Sequence, residues 1–142
     1  MILSTLEDFN KKLTATGDLG RVELEENLAE IQDSVKIDPN SGFVRLIDKD
    51  NYSDKVKIQL IVVSRLLYNQ LQIHLKNETT VSASVSIDEL ENMLKINRRT
   101  LTNRIGELRD SGQLVDSGKG SVKATPHTIK SFLKGLKKGK KE

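Results

Sequence analysis

The chain has 142 residues, of which 36% are hydrophobic and 30% charged, a composition typical of one globular domain or of a compact domain with an extra arm. It contains no cysteine, which excludes disulfides, thiolate metal sites, iron–sulfur clusters and cysteine nucleophiles. No stretch of about 18 uninterrupted apolar residues is present, so we expect no membrane span and a cytoplasmic location.

The net charge of +3 is the sum of two unlike halves of the chain. Residues 1–53 contain 6 basic and 11 acidic residues, whereas residues 54–142 contain 17 basic and 9 acidic ones. The basic excess is concentrated in residues 95–141, with 13 basic residues against 3 acidic ones. Such asymmetry indicates that one face meets a polyanion, although a solvated lysine-rich surface would give the same counts.

Residues 1–52 are predicted to form an accessory unit of helices and a β-hairpin. The spacing of apolar residues predicts a short helix over 4–14 and a second helix over 21–34, whose alternating start leaves a strand open there. Two β-prone runs, 35–37 and 43–47, flank a turn rich in Pro, Asn and Gly, which indicates a hairpin. This acidic unit would dock a basic protein partner or fold against the basic half of its own chain.

The longest helix is predicted from Asp54 to about Lys76, with Ser53 as its N-cap. Its apolar residues cover nearly the whole cylinder and include Ile73 and Leu75 close to its end. A helix that is apolar on almost all sides is buried between two layers. It would therefore join the N-terminal unit to the C-terminal one, or form part of a homodimer core.

A short strand over 81–85 is predicted next, and it is followed by two helices separated by a tight turn. Ser86 and Glu89 have the spacing of a capping box, in which the hydroxyl accepts a backbone N–H and the carboxylate reaches back to the N-cap. The tight turn contains Lys95, and Asn97 is the predicted N-cap of the second helix.

This second helix is predicted over 98–110 and is ended by Gly112. Residues 113–116 and 121–125 are predicted to be the two strands of a hairpin, and Pro126 is expected to open a last helix.

The order helix, helix, helix, hairpin, helix resembles the winged helix-turn-helix superfamily, especially the MarR-, ArsR- and HxlR-like prokaryotic regulators, over about residues 54–136. The segments that carry the resemblance are SIDEL at 86–90, INRRTLTNRI at 96–105 and ELRDSG at 107–112. The resemblance implies a mainly α fold with a small β component. It would consist of a winged helix-turn-helix domain over 53–136, the N-terminal helical and β-hairpin extension over 1–52, and a basic tail over 137–142.

Some positions depart from the pattern of these regulators. Lys95 occupies a turn position that is often glycine, and Gln113 stands where an apolar residue usually begins the first strand of the wing. The wing also lacks the Asp-x-Arg motif that is typical of MarR proteins.

The resemblance makes the helix over 98–110 the recognition helix. At about 100° per residue, Arg99 and Asn103 lie on its outward line, where they suit guanine and adenine edges in the major groove. Arg98 and Arg104 lie on opposite flanks and would reach phosphates, while Thr102 lies on one shoulder of the outward face.

The wing and the tail carry further basic residues. Lys119 at the wing tip and Lys123 on its second strand are placed to contact the DNA backbone or the minor groove. The tail lysines would add phosphate contacts, or form a solubilising end of the chain.

No catalytic or metal-binding pattern is present in the sequence. His74 and His127 are isolated from other metal-ligating residues, and no hydroxyl nucleophile has a base nearby in sequence. We therefore expect no enzyme activity, no metal and no cofactor.

The function that these observations predict is sequence-specific binding of double-stranded DNA by a homodimer that regulates transcription. The alternative is a winged-helix protein–protein interaction module in a chromosome-organising, membrane-remodelling or polymerase-associated assembly, because a fold alone does not determine a function.

Overall fold

A computed structural model describes residues 21–47 and 49–139, with side chains described as far as Leu136. The helix predicted over 4–14 lies outside the described residues, as do the side chains of the predicted basic tail over 137–142.

The described chain is mainly α-helical with a small β component, as predicted. The helices are α1 (Arg21–Ile31), α2 (Asp54–His74), α3 (Ile87–Leu94), α4 (Arg98–Asp110) and α5 (Pro126–Gly139), and a 3-10 turn covers Lys49–Asn51. The strands are β1 (Val35–Ile37), β2 (Val44–Leu46), β3 (Val85–Ser86), β4 (Leu114–Asp116) and β5 (Ser121–Ala124).

The predicted N-terminal hairpin is present, with β1 and β2 antiparallel. The carboxylate of Asp38 accepts the backbone N–H groups of Asn40 at 2.8 Å and Ser41 at 3.1 Å, which holds the turn. Because these bonds favour the ionised carboxyl, they lower the pKa of Asp38. Gly42, with φ +77°, supplies the left-handed residue that returns the chain to β2.

Helix α2 is the centre of the fold. Ser53 is its N-cap, accepting the N–H of Val56 at 3.3 Å, and every residue from 60 to 67 is buried. The prediction of burial on nearly all sides is wrong for the end of the helix, because Ile73 is 51% exposed and Leu75 64%. A helix of 21 residues is about 30 Å long, so its last turn extends beyond the elements that pack around its middle.

A second, three-stranded antiparallel sheet has the order β3-β5-β4. Val85 lies opposite Val122, and Leu114 lies opposite Ala124, so the buried faces of the three strands coincide. The hairpin β4–β5 has the position in the chain that was predicted for the wing.

The predicted start of the third strand is wrong, because β3 begins at Val85 and residues 81–84 are not part of a strand. Side chains of α2 occupy the backbone groups that a strand would use. Asn69 donates to the Val81 carbonyl at 2.8 Å, Gln72 accepts the Val81 N–H at 2.7 Å, and Arg65 donates to two carbonyls of this segment.

One hydrophobic core runs through the described chain from Leu24 on α1 to Leu133 on α5. Helix α1 packs on α2 and α5, and β2 packs on α2. The described part of residues 1–52 therefore shares its core with helices α3 and α4. Across residues 21–47 and 49–139, no helix combines the length and the apolar composition that a membrane crossing requires.

Candidate nucleic-acid interface

Helices α3 and α4 are joined by the predicted three-residue turn. Ser86 caps α3 by accepting the N–H of Glu89 at 3.0 Å, and Asn97 caps α4 by accepting the N–H of Arg99 at 2.8 Å. Lys95 lies between them in the left-handed conformation, with φ +56°. This conformation explains why glycine is common at the position, since an L side chain is strained there.

The carboxylate of Glu89 does not return to its own N-cap, so that half of the predicted capping box is wrong. It pairs with Arg65, whose Nη1 lies 2.6 Å from Glu89 Oε2. The buried guanidinium also donates to the carbonyls of Gly42, Ser82 and Ser84. Arg65 therefore ties the N-terminal hairpin and the segment before β3 to helix α3.

Helix α4 packs its apolar stripe inward as predicted, with Leu101, Ile105 and Leu108 buried. Arg99 and Asn103, one helical turn apart, are exposed on the other side. Among the described residues, neither side chain has a hydrogen-bond or ion-pair partner. Their donors and acceptors are therefore available to a ligand.

Thr102 is also exposed, but its hydroxyl donates to the backbone carbonyl of Arg98 at 2.8 Å. Only the lone pairs of this hydroxyl remain available, so Thr102 is an acceptor on the outward face.

Arg98, predicted to contact phosphate, is held by carboxylates of α3. Its guanidinium forms an ion pair with Asp88, and its Nη1 lies 3.6 Å from Glu91 Oε1. The hydrogen bond that Arg98 donates to Asp88 is the main cause of the raised pKa of Arg98. An ion pair between exposed side chains is weak, so a phosphate can displace Asp88, but it must compete with that carboxylate.

Arg104 is engaged in a similar way. It pairs with Glu107, whose carboxylate also lies 2.5 Å from Lys55 Nζ at the start of α2. The hydrogen bond from Lys55, together with the charge of Arg104, lowers the pKa of Glu107. The three side chains fasten α4 to α2 and leave Arg104 less available than its sequence position indicates.

The wing presents two free lysines. Lys119 lies in the turn between Gly118 and Gly120, which have φ +88° and +74°, and Lys123 is exposed on β5. Neither lysine forms an ion pair within the described part of the chain. Both ammonium groups are therefore available to a ligand.

Polar contacts that the sequence did not reveal position the wing. Gln59 of α2 donates to Gln113 at 3.0 Å, and Arg109 Nε at the end of α4 lies 3.3 Å from Asp116 Oδ1 on β4. The only signal in the sequence was the departure at Gln113, where an amide replaces the usual apolar residue.

Helix α1 packs against α5, and two of its acidic residues lie beside lysines of α5. Glu26 and Glu30 line a cleft of about 330 Å³ together with Lys130 and Lys134. Part of the basic excess after residue 95 therefore faces carboxylates of the same chain. Such an arrangement was one of the two roles predicted for the acidic unit.

In the part of the chain that the structure describes, no group of His, Asp and Glu side chains is placed to hold a metal ion.

A scan against protein-family models found no match for this chain, and neither did searches of the curated proteins or of the solved structures.

Proposed function

We propose that the protein is a winged helix-turn-helix transcription regulator that binds double-stranded DNA in the cytoplasm. Helix α4 would enter the major groove, and the β4–β5 hairpin would contact the backbone or the minor groove. The observation that carries the proposal is the exposed pair Arg99 and Asn103 near the N-terminus of α4, with no partner among the described residues.

The chemistry of this pair suits base edges. A guanidinium can donate two parallel hydrogen bonds to guanine O6 and N7, and an amide can donate to adenine N7 while accepting from N6. Because Arg99 and Asn103 are separated by one turn of α4, they can address neighbouring base pairs at once. Leu101 and Ile105, buried on the opposite side, anchor the helix that presents them.

The salt dependence of binding reports how many basic residues reach phosphates. Each neutralised phosphate contributes about −0.9 to the slope of log affinity against log salt concentration. Lys119 and Lys123 alone would give a slope near −2 by that rule, and release of Arg98 and Arg104 from their carboxylates would bring it to about −4.

The direct test is selection of binding sites from random duplex DNA, followed by titration of the selected duplex. We expect Lys119→Ala to weaken binding to all duplexes alike, because a backbone contact carries no sequence information. Lys49→Ala, which removes an exposed lysine of the 3-10 turn before α2, is the matched control and should change nothing. Failure to enrich any sequence, together with no binding at low salt, would overturn the proposal.

A protein-interaction module is the second candidate, and one observation favours it. Asp88, Glu91 and Glu107 neutralise Arg98 and Arg104, so the face of α4 is closer to charge balance than the sequence indicates. A pull-down that recovers one stable partner and is abolished by Asn103→Arg, with no DNA bound, would support this candidate over the first.

We further propose that the protein is a homodimer, assembled through an apolar cleft between α1, β1 and the second half of α2. Leu28, Tyr68 and Leu71 line this cleft, which has a volume of about 470 Å³ and carries Glu25 and Lys36 in its walls. A two-fold axis would bring each charge to its opposite on the second copy. Light scattering should give the mass of a dimer, and Leu71→Glu should give that of a monomer.

A further inference from the structure

An open cleft of about 580 Å³ lies where the start of α2, the end of α4 and one face of α5 meet. Its volume is in the range of small-molecule sites, which are typically about 300–1,000 Å³. Val56, Leu108, Phe132 and Leu136 form its apolar walls, and amide and hydroxyl side chains interrupt them. The exposed pair on α4 does not line this cleft.

Tyr52, in the wall of this cleft, has a polar group without a partner. The residue is 9% exposed, and its hydroxyl is buried without any hydrogen bond. Buried hydroxyls almost always have a partner, because leaving one unpaired costs free energy. Because this hydroxyl has almost no accessible surface, a molecule in the cleft meets the ring of Tyr52 and not its hydroxyl.

The amides of Gln59 and Gln113 add groups that are only partly used. Gln59 donates one hydrogen bond to the carbonyl oxygen of Gln113. This leaves the carbonyl oxygen of Gln59 and the NH₂ group of Gln113 available in the cleft wall. An acceptor and a donor therefore lie side by side.

Gly135 on α5 lacks the usual packing reason for a glycine. A Cβ built there would meet nothing within 4 Å, so no neighbour requires the missing side chain. Glycine inside a helix is less stable than alanine. Because Gly135 has no side chain, the cleft stays open beside Phe132 and Leu136. Ser131, one turn earlier on α5, is also small.

The charge of the cleft argues against an acidic ligand. Among the described side chains, Lys55 is the only charged one that lines the cleft, and its ammonium is already compensated by Glu107 at 2.5 Å. The remaining polar groups are amides and hydroxyls, which both donate and accept. The aromatic ring of Phe132 offers a surface for stacking.

We propose that this cleft binds a planar neutral heterocycle with adjacent hydrogen-bond donors and acceptors, the class to which nucleobases and nucleosides belong. The heterocycle stacks on Phe132 and pairs its edge with Gln59 and Gln113. The proposal is independent of DNA binding, since it uses no residue of the exposed face of α4 or of the wing lysines.

The test is an NMR titration of the isotope-labelled full chain with adenosine, guanosine, cytidine and uridine, one at a time. We expect at least one nucleoside to shift the side-chain amide signals of Gln59 and Gln113 in a saturable way, with a dissociation constant of about 1 mM or lower. Gly135→Leu fills the cleft and should weaken that binding at least about tenfold, without unfolding a helix that has open space there.

His127→Leu is the matched control, because His127 is exposed on the same helix and does not line the cleft. It should bind the nucleoside like the original chain. Tyr52→Phe keeps the ring and removes only the buried hydroxyl, so it should bind the nucleoside like the original chain and leave the melting temperature unchanged or raised.

Three results would overturn the proposal. The first is the absence of any nucleoside effect on the two glutamine signals, and the second is an effect that persists in Gly135→Leu. The third is equal affinity for 1-naphthol, a flat probe without the adjacent donors and acceptors, which would make the cleft merely apolar.

Discussion

Arg65 shows at the scale of one residue how distant parts of the chain are held together. Its guanidinium is 3% exposed, and it is bonded to Glu89 and to the carbonyls of Gly42, Ser82 and Ser84. A buried cation is tolerated only when every donor has a partner of this kind. Arg65 therefore links α2 to α3, to the N-terminal hairpin and to the segment before β3.

Arg65→Met should destabilise the protein by about 3–5 kcal/mol, because it leaves a carboxylate and three carbonyls without their donor. Urea unfolding measures this loss. Arg45→Met, at an exposed arginine of β2, is the control and should stay within about 0.5 kcal/mol of the original chain. A loss below about 1 kcal/mol for Arg65→Met would show that water replaces these bonds without cost.

At Lys95, the backbone conformation determines how a substitution changes the free energy of unfolding. Its φ of +56° costs an L-residue about 1–2 kcal/mol. Glycine removes that strain, but it destabilises the folded state by about 0.5–1 kcal/mol because it loses more conformational entropy on folding. Lys95→Gly should therefore raise the free energy of unfolding by up to about 1 kcal/mol. The same change at Lys130, inside α5, is the control and should lower the free energy of unfolding by about 1 kcal/mol. If Lys95→Gly lowered the free energy of unfolding by the same amount, that result would contradict the left-handed conformation of Lys95.

At the scale of elements, Glu107 connects α4 to α2 through Lys55 and is paired with Arg104 on its own helix. Its pKa is lowered from the ordinary 4.5, so its contribution to stability is complete above that value and is lost as the pH falls through the folded-state pKa. Glu107→Gln should therefore be less stable than the original chain at neutral pH.

This stability difference should shrink as the pH is lowered below about 4.5, where the unfolded carboxyl begins to bind its proton. Urea midpoints across the acidic range measure it. Glu78→Gln, in the exposed segment after α2, should show no comparable pH dependence. A constant difference between Glu107→Gln and the original chain at all pH values would exclude the ion pair as its cause.

The contact between α3 and α4 sets how freely Arg98 can reach DNA. Asp88→Asn removes its main carboxylate partner, which should raise affinity for all duplexes severalfold and steepen the salt slope. Fluorescence anisotropy at several salt concentrations measures both quantities. Asp33→Asn, on an exposed aspartate after α1, is the control. Unchanged affinity in Asp88→Asn would show that Arg98 makes no phosphate contact.

Local signals made some elements predictable, and α4 is the clearest example. Asn97 caps its start and Gly112 follows its end, so its predicted bounds, 98–110, match the observed ones. The start of β3 was not predictable, because side chains of α2 at Arg65 and Asn69, a dozen or more residues earlier, occupy the backbone of 81–84. The strand propensity of residues 81–84 cannot show that side chains of α2 compete for their backbone groups.

The candidate site was predictable in the same uneven way. Helical periodicity placed Arg99 and Asn103 outward, since it depends only on spacing along α4. It could not show that Arg98 is held by carboxylates of α3, because that pairing depends on how two helices pack. The partnership of Gln59 with Gln113 is equally tertiary, joining residues that are 54 positions apart.

At the scale of the whole molecule, charge is divided among several surfaces. The acidic side of α1 and the basic side of α5 share a cleft, and carboxylates of α3 and α4 engage two arginines of α4. The cations left without partners on the exposed face of α4 and on the wing are Arg99, Lys119 and Lys123, counted among the described residues. The net charge of +3 thus conceals a small free surface for a polyanion.

The central claim is that α4 reads base edges, and Arg99→Ala tests it most directly. Its affinity for the selected duplex and for a scrambled duplex should be compared with those of the original chain at one salt concentration. We expect the binding free energy of Arg99→Ala for the selected duplex to fall by about 1–3 kcal/mol, or about 5- to 150-fold in affinity. The loss of affinity for the scrambled duplex should be much smaller. Equal losses on both duplexes would contradict it, because Arg99 would then contact only the backbone.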